Sequence, residues 1–269
     1  MQRHWKRGLA LILAALALST SVFAGNVTVQ SGSWRLSGKD AFLQNGTTYV
    51  ALRAFSEAMG AEKVRWEGGA AMVSANGWTL TAVPGEQYLM VNGRCFFVPD
   101  GVQLKDDRIW VPVRAAAAAF GAQVNWTPGT VTVLPGSGSA LSGADYYDQE
   151  DLYWLSRIIS AESRGESLSG QIAVGNVVLN RVKSPDFPDS VKAVVFDQRD
   201  GITQFEPVSN GSVYDKPTER SVIAAKLALE EANTGGDALY FFAPALSAGS
   251  WIVKNRTYSH TIGCHRFYT

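Results

Sequence analysis

The 269-residue chain has only two cysteines and three histidines. A zinc site needs about three or four protein ligands, mostly Cys and His, so no metal or other cofactor is expected. An excess of charge is missing too. Lys and Arg number 24 and Asp and Glu number 24, for a formal net charge of zero. Nucleic-acid binding leans on a basic excess, and no nucleic-acid partner is expected. Charged residues are only 18% of the chain, but hydrophobic residues reach 46%, which excludes a disordered polymer. Beyond the N-terminus, no apolar run approaches the roughly 20 residues of a bilayer-spanning helix.

The N-terminus itself reads as a secretory signal peptide. Arg3, Lys6 and Arg7 flank the start of a short apolar run, Leu9–Leu18, and Val22-Phe23-Ala24 supplies a small-residue cleavage site. An uncleaved membrane anchor is the alternative. Residues 1–24 are set aside, and the mature chain is expected to be exported, with no membrane span. Nothing specifies an oligomer, so a monomer is assumed. Cys95 and Cys264 lie in different expected domains; pairing them would need a fixed interface, and two independent buried thiols are the simpler reading.

Residues 25–134 carry short apolar runs broken by Gly, Asn and Pro, which predict strands at Val27–Val29, Tyr88–Val91, Cys95–Val98 and Val131–Leu134. Asn92-Gly93 between two of them predicts a hairpin. An internal repeat is visible. Tyr49-Val50-Ala51-Leu52-Arg53-Ala54 parallels Trp110-Val111-Pro112-Val113-Arg114-Ala115, Gly60-Ala61 parallels Gly121-Ala122, and Val64-Arg65-Trp66 parallels Val124-Asn125-Trp126. Each copy predicts strand, short helix with a glycine stop, then strand. This pattern resembles the copper amine oxidase N-terminal-like domain. The resemblance implies neither copper nor oxidase chemistry, and this half contains no histidine. Trp34, Trp66, Trp78, Trp110 and Trp126 are read as core, with stacking on sugars as the alternative. A Pro/Gly/Ser-rich stretch at 135–147 reads as a flexible linker.

Residues 148–269 read as mostly helical, with a few late strands. A helix is predicted from Gln149 to Ser163 with Asp148 as N-cap. Leu152, Leu155, Ile158 and Ile159 share one face about 120° wide, and Glu162 projects from the middle of it. Burial there raises a carboxyl pKa toward the range a general acid needs, and Gly165 leaves Glu162 in the last helical turn. The alternative is a structural pairing of Glu162 with Arg164 or Arg181. A second helix over the 170–182 region, bearing Ile172, Val174, Val178 and Val182, is small enough to pack closely on the first.

Ala161-Glu162-Ser163-Arg164-Gly165-Glu166, Gly170-Gln171-Ile172-Ala173-Val174-Gly175, Val178-Leu179-Asn180-Arg181, Gln204-Phe205, Ala238-Leu239-Tyr240-Phe241-Phe242 and Ile262-Gly263-Cys264-His265 together resemble the SleB/CwlJ cell wall hydrolase family, in its order over about 120 residues. The resemblance implies a lysozyme-like catalytic domain that acts on peptidoglycan glycan strands, with Glu162 catalytic and a role in spore germination. The overall fold class is then α+β, a mixed N-terminal repeat domain followed by a mainly helical domain with a small sheet. Glu166, Gln204, Phe205, Tyr240 and Trp251 are candidate substrate-binding residues. Glu166 reads equally well as a loop residue accepting backbone N–H groups.

Glycoside hydrolysis normally takes two carboxylates at a defined separation, and no partner for Glu162 stands out among Glu166, Asp197, Asp200 and Glu206. A lytic transglycosylase needs one. Its glutamic acid protonates the bridging oxygen, then deprotonates the muramic C6 hydroxyl that closes a 1,6-anhydro ring. That activity is the favoured reading over hydrolysis. A non-catalytic wall-binding or spore coat protein and an N-acetylmuramoyl-L-alanine amidase are the alternatives. The amidase finds few ligands in His260 and His265, and Cys264 beside His265 has poor geometry for a nucleophile and its base.

Overall fold

A computed structural model describes residues 27–136, 138 and 140–269. The expected signal peptide lies outside the described residues. Among those described, no helix is long and apolar enough to cross a membrane.

The N-terminal half is strand-rich. One four-stranded sheet runs Gln123–Thr127, Thr130–Leu134, Thr28–Ser31, Trp34–Leu36, and its single parallel pairing joins the first strand of the domain to the last. A second runs Gln103–Lys105, Arg108–Pro112, Thr47–Ala51, Ala41–Gln44. The third is a five-stranded meander, Lys63–Glu67, Ala70–Ala75, Trp78–Ala82, Tyr88–Val91, Arg94–Phe97. Asn92-Gly93 closes its last hairpin with φ of 50° and 76°. A two-residue turn matched to strand twist needs positive φ at both positions, which Asn and Gly tolerate best. The two parallel segments of the sequence fold alike. The strand ending at Ala51 enters α1 (Leu52–Ala58), and the strand ending at Pro112 enters α2 (Val113–Ala119). Both helices give way to a left-handed glycine, Gly60 and Gly121.

Trp78 and Trp110 are buried, as expected for core tryptophans, and Trp34 packs edge-on to Phe55. Trp66 and Trp126 correct that expectation: at equivalent strand positions they are 54% and 58% exposed. Among the described residues, no element buries either ring.

The described residues between 135 and 147 also depart from expectation. Ala140 is buried in the N-terminal core, and its N–H donates to Ala119 O at 3.3 Å. Gly143 N donates to Asn92 O at 2.7 Å as α3 (Gly143–Tyr146) begins. A composition that favours flexibility in isolation is overridden by backbone hydrogen bonds to a neighbouring hairpin. Tyr147 then donates its hydroxyl to Glu230 at 2.9 Å, and Arg94 grips the same carboxylate with Nε and Nη2, both at 2.6 Å. Cys95 sits in the apolar cluster of the C-terminal half, while Cys264 is exposed; both are free thiols.

The C-terminal half is built on three helices. In α4 (Gln149–Ser163) the Asp148 carboxylate accepts from the backbone N–H groups of Glu150 and Asp151, each at 2.9 Å. That satisfies two of the free donors at the helix start. Leu155, Ile158 and Ile159 are fully buried against α5 (Leu168–Lys183) and a later helix, Glu219–Leu229. Gly175 lies where the three meet. A Cβ there would stand 2.9 Å from Ile159 Cδ1 and 3.2 Å from Ala228 Cβ. Gly175→Val is therefore expected to destabilise the fold by about 1–3 kcal/mol through overpacking, read as a lower urea midpoint with an unchanged slope.

Between α5 and that helix lie α6 (Val191–Val195), a two-stranded hairpin (Gln198–Arg199 with Ile202–Thr203) and α7 (Glu206–Asn210). The Glu219–Leu229 helix, α8, ends where Glu230 turns toward Arg94 and Glu231 adopts φ 65°. A buried Asn176 ties the loop that follows: its Nδ2 donates to Ala232 O at 2.8 Å, and its Oδ1 accepts from Thr234 N and Gly235 N. Strand Tyr240–Phe242, α9 (Ser250–Asn255) and the hairpin Tyr258–Ile262 with His265–Tyr268 complete the domain as a three-stranded sheet.

Candidate active site

Glu162 occupies the last turn of α4, half-buried at the C-terminal end of its apolar face. Among the described residues, no hydrogen bond or ion pair engages its carboxylate. Burial pushes its pKa up to about 7, and the Glu206 charge pushes the same way. Arg181 on α5 opposes them. A carboxylic acid near half-protonation at neutral pH can both donate and accept a proton.

Arg181 is the residue that the sequence suggested only as a structural partner. It is 5% exposed, and its Nε donates to Leu239 O at 2.8 Å. Its guanidinium carbon lies 5.0 Å from the Phe187 and Phe205 ring centres and 5.5 Å from that of Tyr240. Nη1 is buried without a partner. Burial pulls its pKa down to about 10, which leaves it cationic at neutral pH. It influences Glu162 through space rather than as a bonded pair.

The other expected residues separate. Tyr240 is half-buried; its hydroxyl accepts from Arg256 Nη2 at 2.9 Å, and its ring lies 5.9 Å from that of Trp251, tilted by 57°. Trp251 is 56% exposed, and the Arg256 guanidinium carbon lies 4.6 Å and 4.8 Å from the Tyr240 and Trp251 ring centres. Gln204 is half-buried; its backbone N–H donates to Asp197 O at 3.0 Å, which places it at the mouth of the 198–203 hairpin. Phe205 corrects the expectation of a substrate contact. It is 3% exposed and forms floor beneath Arg181 and against Phe241.

Glu166 is corrected as well. Its Oε2 accepts from Cys264 N at 3.2 Å, and Oε1 lies 3.9 Å from His265 Nδ1. Gly263, at φ 55°, leaves no room for a Cβ beside that carboxylate. Glu166 pins the terminal hairpin to the start of α5, the role of a loop residue accepting backbone N–H groups. His265 is buried edge-on to Phe241, with its pKa lowered mainly by burial, and His260 stacks on Phe267. Among the described residues, no three His, Cys, Asp or Glu side chains converge to hold a metal ion.

A half-buried carboxylic acid at a helix end, with a buried cation near enough to act on its charge, suits cleavage of a glycosidic bond. A family model described as Cell Wall Hydrolase matches residues 165–268, and one described as Copper amine oxidase N-terminal domain matches residues 35–134. Residues 165–268 of the C-terminal half are thus similar to the cell wall hydrolase family, and that match opens just after Glu162.

The relatives are specific. A spore cortex-lytic enzyme of Bacillus cereus is 37% identical over 121 residues, covering 45% of each chain. One of Oceanobacillus iheyensis is 34% identical over 143 residues, covering 49% of this chain and 50% of the other. The chain thus matches about half the length of the curated relatives. Among solved structures, the catalytic domain of the germination-specific lytic transglycosylase SleB from Bacillus anthracis is 36% identical. It covers 46% of this chain and 97% of that one, with a TM-score of 0.42.

Proposed function

We propose that this protein is an exported lytic transglycosylase that cleaves the bond between N-acetylmuramic acid and N-acetylglucosamine in peptidoglycan, with spore cortex lysis during germination as its setting. Glu162 is the acid and then the base. The observation that carries the reading is the Glu162 carboxyl itself, unpaired in the last turn of α4 with its pKa pushed up to about 7. It gives its proton to the bridging oxygen as C1 develops oxocarbenium character. The resulting carboxylate then takes the proton of the muramic C6 hydroxyl, and that oxygen closes on C1. No water is consumed, and the proton taken from the hydroxyl restores the acid within the same turnover. Tyr240 and Trp251 serve as stacking surfaces, with Gln204 as a hydrogen-bonding side chain. The names of the relatives supply the germination setting, and the signal-like N-terminus supports export.

Glu206 is the nearest carboxylate by its effect on Glu162, but it is exposed at the first turn of α7. Mass spectrometry of fragments released from purified peptidoglycan tests the reaction. Products ending in 1,6-anhydromuramic acid are expected; products with reducing muramic ends would show that water attacks, and would turn attention to Glu206 as its base.

A further inference from the structure

Far from Glu162, the N-terminal half contains a cavity of about 350 Å³ between the Lys63–Glu67/Ala70–Ala75 hairpin and the Gln103–Lys105/Arg108–Pro112 hairpin, beside the start of α1. That volume lies within the range of small-ligand clefts, about 300–1,000 Å³. Its apolar floor includes Leu52, Val64 and Ile109. Trp66 stands at the rim, 54% exposed, and Leu104 beside it is 55% exposed. Leaving two large apolar side chains uncovered at one opening is costly to a soluble protein unless something sits on them.

The rim is also rich in fixed planar donors. Arg65 is held by Nε to Glu67 Oε2 at 2.6 Å and by Nη1 to Ser74 Oγ at 3.0 Å. Arg53 Nη1 donates to Val64 O at 3.0 Å. Arg108 is anchored through Nη1 to Lys39 O and through Nη2 to Asp40. Among the described residues, Arg65 Nη2, Arg53 Nη2 and Arg108 Nε donate to no protein group. Each guanidinium is therefore oriented by some of its five N–H groups and has others to spare. Each of the three arginines already faces a carboxylate, Arg53 that of Glu57 at 3.8 Å, Arg65 that of Glu67 and Arg108 that of Asp40, and Asp107 lies in the lining too, so the rim offers N–H donors without a net positive charge and favours a neutral, oxygen-rich ligand.

We propose that this cavity is a second glycan-binding site, which takes an amino-sugar segment of peptidoglycan and holds the chain on its polymer while the Glu162 site cuts. The proposal rests on peptidoglycan being the substrate. One sugar ring stacks its C–H face on Trp66, and hydroxyl and acetamido oxygens accept from the spare guanidinium N–H groups. Arg94, Tyr147 and Glu230 lock the two halves together, so capture at one end limits how far the other can drift.

The test is retention of the full chain on purified peptidoglycan stripped of attached anionic polymers, measured by co-sedimentation. All variants carry Glu162→Gln so that the polymer survives. Trp66→Ala is expected to weaken retention about tenfold, and Arg65→Gln to weaken it several-fold. Trp126→Ala, equally exposed but outside the cavity lining, is expected to leave it unchanged. In the active background, Trp66→Ala should leave cleavage of short soluble glycan fragments unaltered. Equal retention of the Trp66→Ala and Trp126→Ala proteins overturns the site, as does retention that disappears once the attached polymers are stripped. Lysis that persists in the Glu162→Gln protein instead removes the catalytic reading, and does so without touching the retention comparison.

Discussion

Glu162→Gln is expected to abolish peptidoglycan lysis, with a loss of about 10³-fold or more, because the amide can neither give nor take the proton. The same substitution is expected to stabilise the protein at alkaline pH. The carboxyl titrates near its ordinary value of 4.5 when unfolded and at about 7 when folded. Between those values the folded chain binds more protons than the unfolded one, so stability falls as pH rises through this window. Above pH 7 the full penalty applies, about 2–3 kcal/mol once partial solvent access is allowed for. A neutral glutamine avoids it. Urea unfolding at pH 8 should show a higher midpoint for Glu162→Gln than for wild type, and at pH 4 the two should coincide. An inactive variant with no alkaline gain would mean that the carboxyl is not held dry, which would remove the basis of its acid role.

That residue was legible before any coordinates, for a simple reason. Helical periodicity is a local property, and a charged side chain at 100° steps among Leu155, Ile158 and Ile159 conflicts with it openly. The ends of α4 were legible too, since Asp148 and Gly165 act on their own neighbouring backbone. What escaped was decided by groups distant in sequence. Val64 and Trp66 share a strand face by period two, but only the assembled sheets determine that Trp66 is left exposed. The 135–147 stretch has linker composition, yet Ala119 and Asn92 bind its backbone. Phe205 is a candidate through the resemblance alone, and it is buried because Arg181 from another helix lies over its ring. Glu166 looked like a site residue by its nearness to Glu162, and its direction was settled by Cys264 and Gly263, some hundred positions away.

Arg181 carries the second large effect. Its charge holds Glu162 below the pKa that burial and Glu206 alone would produce. Arg181→Met removes the charge, keeps an apolar side chain beneath Phe187 and Tyr240, and leaves Leu239 O without its donor. The Glu162 pKa is then expected to climb by about one further unit, in line with losing an opposite charge nearby. An acid must be protonated to donate, so wild-type kcat/KM should fall about tenfold per pH unit above pH 7. In Arg181→Met this alkaline limb should move up by about one unit. Arg181→Lys keeps a cation, which remains mostly charged even with its pKa lowered by burial, and should hold the limb near its wild-type position while losing the bond to Leu239 O. The two variants separate electrostatic from architectural roles. A shift shared by both would trace to movement of the 232–239 loop. A shift confined to the methionine variant would show that a buried, unbonded cation sets the working pH of an acid on the neighbouring helix. A limb that stays in place in both would mean that Arg181 serves only to brace the rings of Phe187 and Tyr240.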